Sequence, residues 1–156
     1  MSQASLTVDR EKYNNGYYAE QLKKGLEFQD YVTNILYDRG IVLVGYSSQK
    51  YQNKYGENKM GAEVKRDGKF RETGNLYIEV AEKAHPDNKH YVQAGVKRED
   101  NSWLFIIGDE KTLYVFATKR LREICERYRR VEKTTSIGYL LPVADANNEC
   151  AMRIDI

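Results

Sequence analysis

Two glutamates and a lysine are the side chains in this sequence best suited to chemistry. Glu63-Val64-Lys65 lies in the run from Met60 to Asp67, and Glu79 lies in the run from Asn75 to Lys83. Side chains alternate across a strand, so Glu63, Lys65 and Asp67 share one face while Ala62 and Val64 take the other. In the second run Leu76, Ile78 and Val80 form an apolar face, with Tyr77, Glu79 and Ala81 opposite. Residues 68–74, with a glycine at each end, read as a hairpin connection that sets Glu63 directly across the ladder from Glu79. Opposed carboxylates repel by some tenths to about 1 kcal/mol. A divalent cation between them removes that cost, and the neighbouring lysine completes the set for metal-assisted phosphodiester cleavage.

The elements that must position these residues follow from hydrophobic spacing. Tyr18, Leu22, Leu26, Val32, Ile35 and Leu36 recur at helical intervals between about Tyr17 and Arg39, and Gly40 is a natural stop. Ile41 to Tyr46 reads as a buried strand, and Ser47 to Lys59 as an irregular or weakly helical excursion rich in Tyr and Lys. After the hairpin comes a loop from Ala84 to Lys89, marked by Pro86, and then a short helix within Val92 to Asp100. Trp103 to Ile107 and Leu113 to Ala117 read as strands joined by a turn over residues 108–111. Thr118 is expected to cap a helix whose stripe is Leu121, Ile124, Cys125, Tyr128 and Val131. Gly138 to Val143 reads as a late strand, at an edge because of Pro142, followed by a short strand near Met152 to Ile156. Strands bracketed by helices imply an α/β (α+β) fold. The whole of 1–156 reads as one domain, with residues 1–15 as a loose leader and 134–156 as a C-terminal strand and tail.

The Glu-x-Lys element in this setting resembles the PD-(D/E)XK nuclease superfamily, which includes restriction endonucleases, junction resolvases and phage or mobile-element nucleases. Glu63-Val64-Lys65 matches the (D/E)-x-K element literally, and the path through Thr73-Gly74-Asn75-Leu76-Tyr77-Ile78-Glu79 is similar to that of small phage-type members. The resemblance covers roughly residues 17 to 132. It implies a central mixed β-sheet of restriction-endonuclease type flanked by helices, an Mg²⁺ or Mn²⁺ cofactor, and endonucleolytic cleavage of DNA. It further implies a homodimer, since cutting a duplex takes two active sites. The chain departs from the pattern in two places. No Pro-Asp dipeptide precedes the signature, and Ala81 stands where Glu79-x-Lys would put its lysine. Two assignments follow. Either Glu63 and Glu79 are the metal ligands and Lys65 replaces the missing lysine, or Glu57 is the first acid, Glu63-x-Lys65 the signature and Glu79 an extra acid. Asp67 is a further candidate ligand, Glu27 a helix-borne acid, and Lys83 a displaced lysine. The alternative of another class is a nuclease-fold protein that binds DNA or a protein partner without cutting.

Hydrophobic residues make up 41% of the chain and charged residues 31%, a globular balance. The net charge is only +2, yet seven basic residues face three acidic ones between Thr118 and Lys133. That asymmetry suits a nucleic-acid surface carrying Arg127 and Arg130, or simply the solvated side of a helix. Lys50, Tyr51, Lys54 and Tyr55 offer phosphate contacts and stacking. Two cysteines cannot form a disulfide framework, and no apolar run is long enough to span a bilayer, so a reducing cytoplasm without membrane attachment is expected. His85 and His90 lack cysteine partners at zinc spacing, and neither a nucleophile-elbow serine nor a Walker-type glycine loop is present.

Overall fold

The structure is a computed structural model that describes residues 16–43, 52, 54–57 and 59–156. Helix α1 (Tyr17–Asp38) is followed by β1 (Ala62–Arg66), a single helical turn α2 (Phe70–Thr73), β2 (Asn75–Glu82) and β3 (Val92–Gln93). Next come a 3₁₀ turn (Gly95–Lys97), β4 (Leu104–Gly108), β5 (Thr112–Ala117), α3 (Thr118–Ile124) and a second 3₁₀ turn (Cys125–Arg127). The chain closes with β6 (Arg129–Glu132), β7 (Ser136–Pro142), α4 (Val143–Glu149) and β8 (Met152–Asp155).

These strands build two four-stranded sheets, an α+β arrangement. The first is ordered β1-β4-β5-β8 and is mixed, because β1 runs parallel to β4 while the other pairs are antiparallel. The second is ordered β3-β2-β7-β6 and is antiparallel throughout. The apolar runs of β4 and β5 are continuous because both faces of the first sheet are covered. Ile106, Leu113 and Val115 meet Phe28, Val32 and Leu36 of α1 on one side. Phe105, Ile107, Tyr114 and Phe116 meet Leu76, Ile78, Val80 and Leu141 of the second sheet on the other. Leu121 and Ile124 of α3, Cys125 and Ala146 of α4 fill the same inter-sheet core.

Helix α1 ends as its sequence demands. Gly40 takes φ +81°, its N–H donates to the Tyr37 carbonyl at 2.9 Å, and the Ile41 N–H donates to the Leu36 carbonyl at 2.9 Å. This is a Schellman closure, which only a residue free to adopt positive φ forms without strain.

The structure corrects several expectations. β1 and β2 do not pair: they belong to different sheets, and the connection folds into α2 rather than a tight turn. The mixed first sheet has a second, antiparallel sheet packed on one face. The helix expected from Thr118 to Lys133 stops at Ile124, because Val131, with Arg129, Arg130 and Glu132, is claimed by β6 pairing with β7. Thr118 is its first helical residue and Ala117 the cap; among the described residues the buried Thr118 hydroxyl has no hydrogen-bond partner. Strand β7 is internal, flanked by β2 and β6, and tolerates Pro142 because that residue is its last. Of the strand expected over Ile41 to Tyr46, residues 41–43 have no regular structure and 44–46 lie outside the described residues, as does the leader 1–15. Gln52, Lys54 and Tyr55 are helical. Among the described residues no helix is long and apolar enough to cross a membrane.

Candidate active site

β1 is the outer strand of the first sheet, with Glu63 beside Phe105 and Lys65 beside Ile107. Alternation turns Ala62 and Val64 toward α1 and leaves Glu63 and Lys65 on the face that meets the second sheet. Glu63 is 1% exposed, an exceptional position for a carboxylate. Its Oε1 lies 3.0 Å from Lys65 Nζ, and among the described residues no other group hydrogen-bonds either carboxylate oxygen. The ammonium serves one of its oxygens, and an oxygen left unsatisfied in such a position costs about 1–3 kcal/mol. Lys65 is 36% exposed and reaches from the buried acid to open solvent.

Two further carboxylates converge on this pair. Glu57 lies across the free edge of β1, where its Oε2 accepts the Val64 N–H at 2.8 Å. Burial, then the charge of Glu63, pushes its carboxyl up to about 8. Glu79 comes from β2, next to a bulge at Val80 where the β2–β7 register slips. A bulge re-aims the side chains around it, and Glu79 comes within electrostatic reach of both Lys65 and Glu63. Its carboxyl is raised by burial, with Lys65 opposing. For Lys65, burial alone would depress the ammonium, but Glu63, Glu57 and Glu79 outweigh it and hold the group above its ordinary value. The structure therefore brings Glu57, Glu63, Lys65 and Glu79 together, though not by the expected ladder.

Arg98 was not singled out from sequence. It donates to Glu82 Oε1 at 3.2 Å, and its charge acts on both Glu57 and Glu79. Its own carbonyl and that of Val96 accept from Arg122, at 2.8 and 2.5 Å, which fixes the segment carrying it. Nothing in Lys97-Arg98-Glu99-Asp100 distinguishes it from a solvated charge run. Glu57, Lys65 and Arg98 open into a cleft of about 690 Å³, walled by the first half of α1 on one side and by Glu82, Val92 and Gln93 on the other.

The other candidates fall elsewhere. Asp67 is a structural residue: Oδ1 accepts the Lys69 N–H and Oδ2 the Tyr77 N–H, each at 2.9 Å, tying the end of β1 to β2. Glu27 is exposed near Lys23, and Lys83 stacks over Tyr91. Lys54 lies over the Tyr55 ring on the surface, while Lys50 and Tyr51 lie outside the described residues. Arg127 and Arg130 are exposed at the β6 side, with β7 separating β6 from β2, and Arg130 is paired with Glu132. They do not reach the acid cluster.

No family model, curated protein or solved structure matches this chain significantly. Among the described residues no three His, Cys, Asp or Glu side chains converge closely enough to enclose a metal ion by themselves. Mg²⁺ does not ask for such a cage; it is commonly held by one or two carboxylates, with water and phosphate oxygens completing the octahedron. The unsatisfied oxygen of Glu63 and the raised carboxyls of Glu57 and Glu79 fit that hard, partly hydrated kind of ion.

Gly95 holds the cluster's far wall in place. Its φ is +52°, and a Cβ there would lie 2.3 Å from the Glu79 carbonyl oxygen. Gly95→Ala is expected to cost about 2–3 kcal/mol through left-handed strain and that backbone clash. Urea unfolding measures it, and a loss below about 1 kcal/mol would mean that β2 moves aside freely.

Proposed function

We propose that the chain is a divalent-cation-dependent endonuclease of the PD-(D/E)XK type, with a restriction-endonuclease-like core, that hydrolyses DNA phosphodiesters in the cleft above Lys65. The observation that carries this reading is a fully buried Glu63 paired at 3.0 Å with Lys65, with Glu57 and Glu79 arriving from two other segments. Once Glu57 has lost its proton, three carboxylates stand around Lys65, and a divalent cation would offset the added negative charge. When bound, a divalent cation supplies Lewis acidity and lowers the pKa of a coordinated water. Glu63 would hold it together with either Glu79 or a deprotonated Glu57, water and phosphate oxygens completing the shell.

Lys65 stays protonated, so its role is electrostatic: it faces the charge that builds on the phosphoryl oxygens as water attacks. In that step the water oxygen bonds to phosphorus and releases one proton to solvent, one ester P–O bond breaks, and the departing oxygen takes a proton from solvent. Arg98, on the cleft wall, offers a second cation to the phosphate. Lys65 also answers the alanine at position 81, since the ammonium arrives from β1 rather than from Glu79's own strand.

Supercoiled plasmid incubated with the purified protein is expected to be nicked with Mg²⁺ or Mn²⁺ and left intact with EDTA. Glu63→Gln should reduce the rate by on the order of 10²–10³-fold, the scale of removing one electrostatic stabiliser. Salt-sensitive DNA binding with no nicking under any divalent ion would favour a binding protein instead.

A further inference from the structure

Resting on the nuclease reading, we infer that the cleft accepts an unpaired polynucleotide strand in preference to a duplex. Lys65 and Glu57 are reached through a slot bounded on both sides, by α1 and by the segment from Glu82 to Arg98. Its volume of about 690 Å³ lies within the roughly 300–1,000 Å³ typical of small-ligand sites. A duplex carries its phosphates on the outside of a thick rod and keeps its bases inside, so it meets the rim of such a slot rather than its floor. A single strand enters lengthwise.

The chemistry of the walls points the same way. Leu22 and Leu26 of α1 are 39% and 44% exposed and line the slot, and Val92, 61% exposed, lines the opposite wall. Apolar side chains gain nothing against phosphate, but they match the faces of splayed bases and sugars. Amide side chains on both walls, Gln29 from α1 and Gln93 from β3 among them, offer donors and acceptors to base edges that a duplex hides in pairing. Cations line the slot on every side, Lys65 and Arg66 from β1, Lys24 from α1 and Arg98 from the opposite wall, within reach of the backbone of a threaded strand. One strand needs one active site per scission, so the homodimer expected for duplex cutting is not required.

The experiment is fluorescence anisotropy of the intact protein in EDTA, so that nothing is cut, with a labelled 15-nucleotide DNA strand, its RNA counterpart and the blunt DNA duplex at one salt concentration. At least ten-fold tighter binding of a single strand, of either sugar, than of the duplex is expected. Leu22→Ala with Leu26→Ala should weaken single-strand binding at least five-fold and leave duplex binding unchanged. Equal or tighter duplex binding overturns the inference, as does a double variant that binds the strand like wild type. Strand-selective binding without cleavage under any metal would sustain the slot and sink the nuclease reading. Cleavage confined to duplex would do the reverse.

Discussion

Replacing Lys65 with methionine is expected to lower stability by about 3 kcal/mol and to abolish cleavage. Removing one member of a buried ion pair typically costs about 3–5 kcal/mol, because the remaining charge stays desolvated. The lower end applies here, since Glu63 is 1% exposed but Lys65 is 36% exposed and partly screened by water. The informative contrast is with the acids. Glu57 and Glu79 both have raised carboxyls, so their charged forms are disfavoured in the fold. Glu57→Gln and Glu79→Gln should therefore be neutral or stabilising at pH 8.5 in EDTA, while impairing catalysis. Equilibrium urea unfolding of the three variants checks this asymmetry. An ordinary structural ion pair would give losses on both sides. Excess acid held in readiness for a cation gives a loss only when the lysine is removed.

Stability without metal should fall as pH rises from about 6 to 8.5, and a divalent cation should reverse the trend. Glu57 is pushed from an ordinary 4.5 up to about 8 by burial and by Glu63. Between those values the folded chain holds a proton that the unfolded chain has already released. Stability then declines with rising pH, because the unfolded state binds fewer protons. Glu79 shifts in the same direction, for the same first cause of burial. A loss of about 1–2 kcal/mol corresponds to roughly 2–8 °C in Tm for a chain of this size. Glu57→Gln should flatten the slope. Metal binds the deprotonated carboxylates, so Mn²⁺ should raise Tm more at pH 8.5 than at pH 6. Scanning calorimetry at the two pH values, with EDTA or Mn²⁺, tests all three arms. A Tm that climbs with pH in EDTA would contradict the charge arrangement.

Much of this site was legible in the residues, and the parts that were not have identifiable causes. The identities of Glu63, Lys65 and Glu79 follow from type and alternation, and the structure does gather them. The route differs because alternation reports which face a residue occupies, not which strand it pairs with. β1 and β2 have matching patterns, but the parallel partner of β1 is β4, more than thirty residues further along. Local spacing carries no trace of that pairing. The false helix from Thr118 to Lys133 has a similar origin. Tyr128 and Val131 continue a helical spacing by coincidence, while pairing with β7 claims residues 129–132 for a strand. Asp67 looked like a ligand because it shares a face with Glu63 and Lys65, yet a turn aspartate is more readily satisfied by backbone amides, and two of them take it. Part of the basic stretch is engaged within the fold. Arg120 pairs with Glu123 and Glu149, Arg130 with Glu132, and Arg122 is spent on backbone carbonyls. Arg98 was invisible because its importance comes from lying across a cleft that only the folded chain defines.

The most direct measurement is the anomalous scattering of a crystal soaked in Mn²⁺. The proposed cation site predicts a peak about 2.0–2.2 Å from a Glu63 oxygen, shared with Glu79 or Glu57, and Lys65 Nζ withdrawn from Oε1 toward the cleft. A map with no peak at saturating Mn²⁺, and Glu63 still pressed against Lys65 alone, would contradict it.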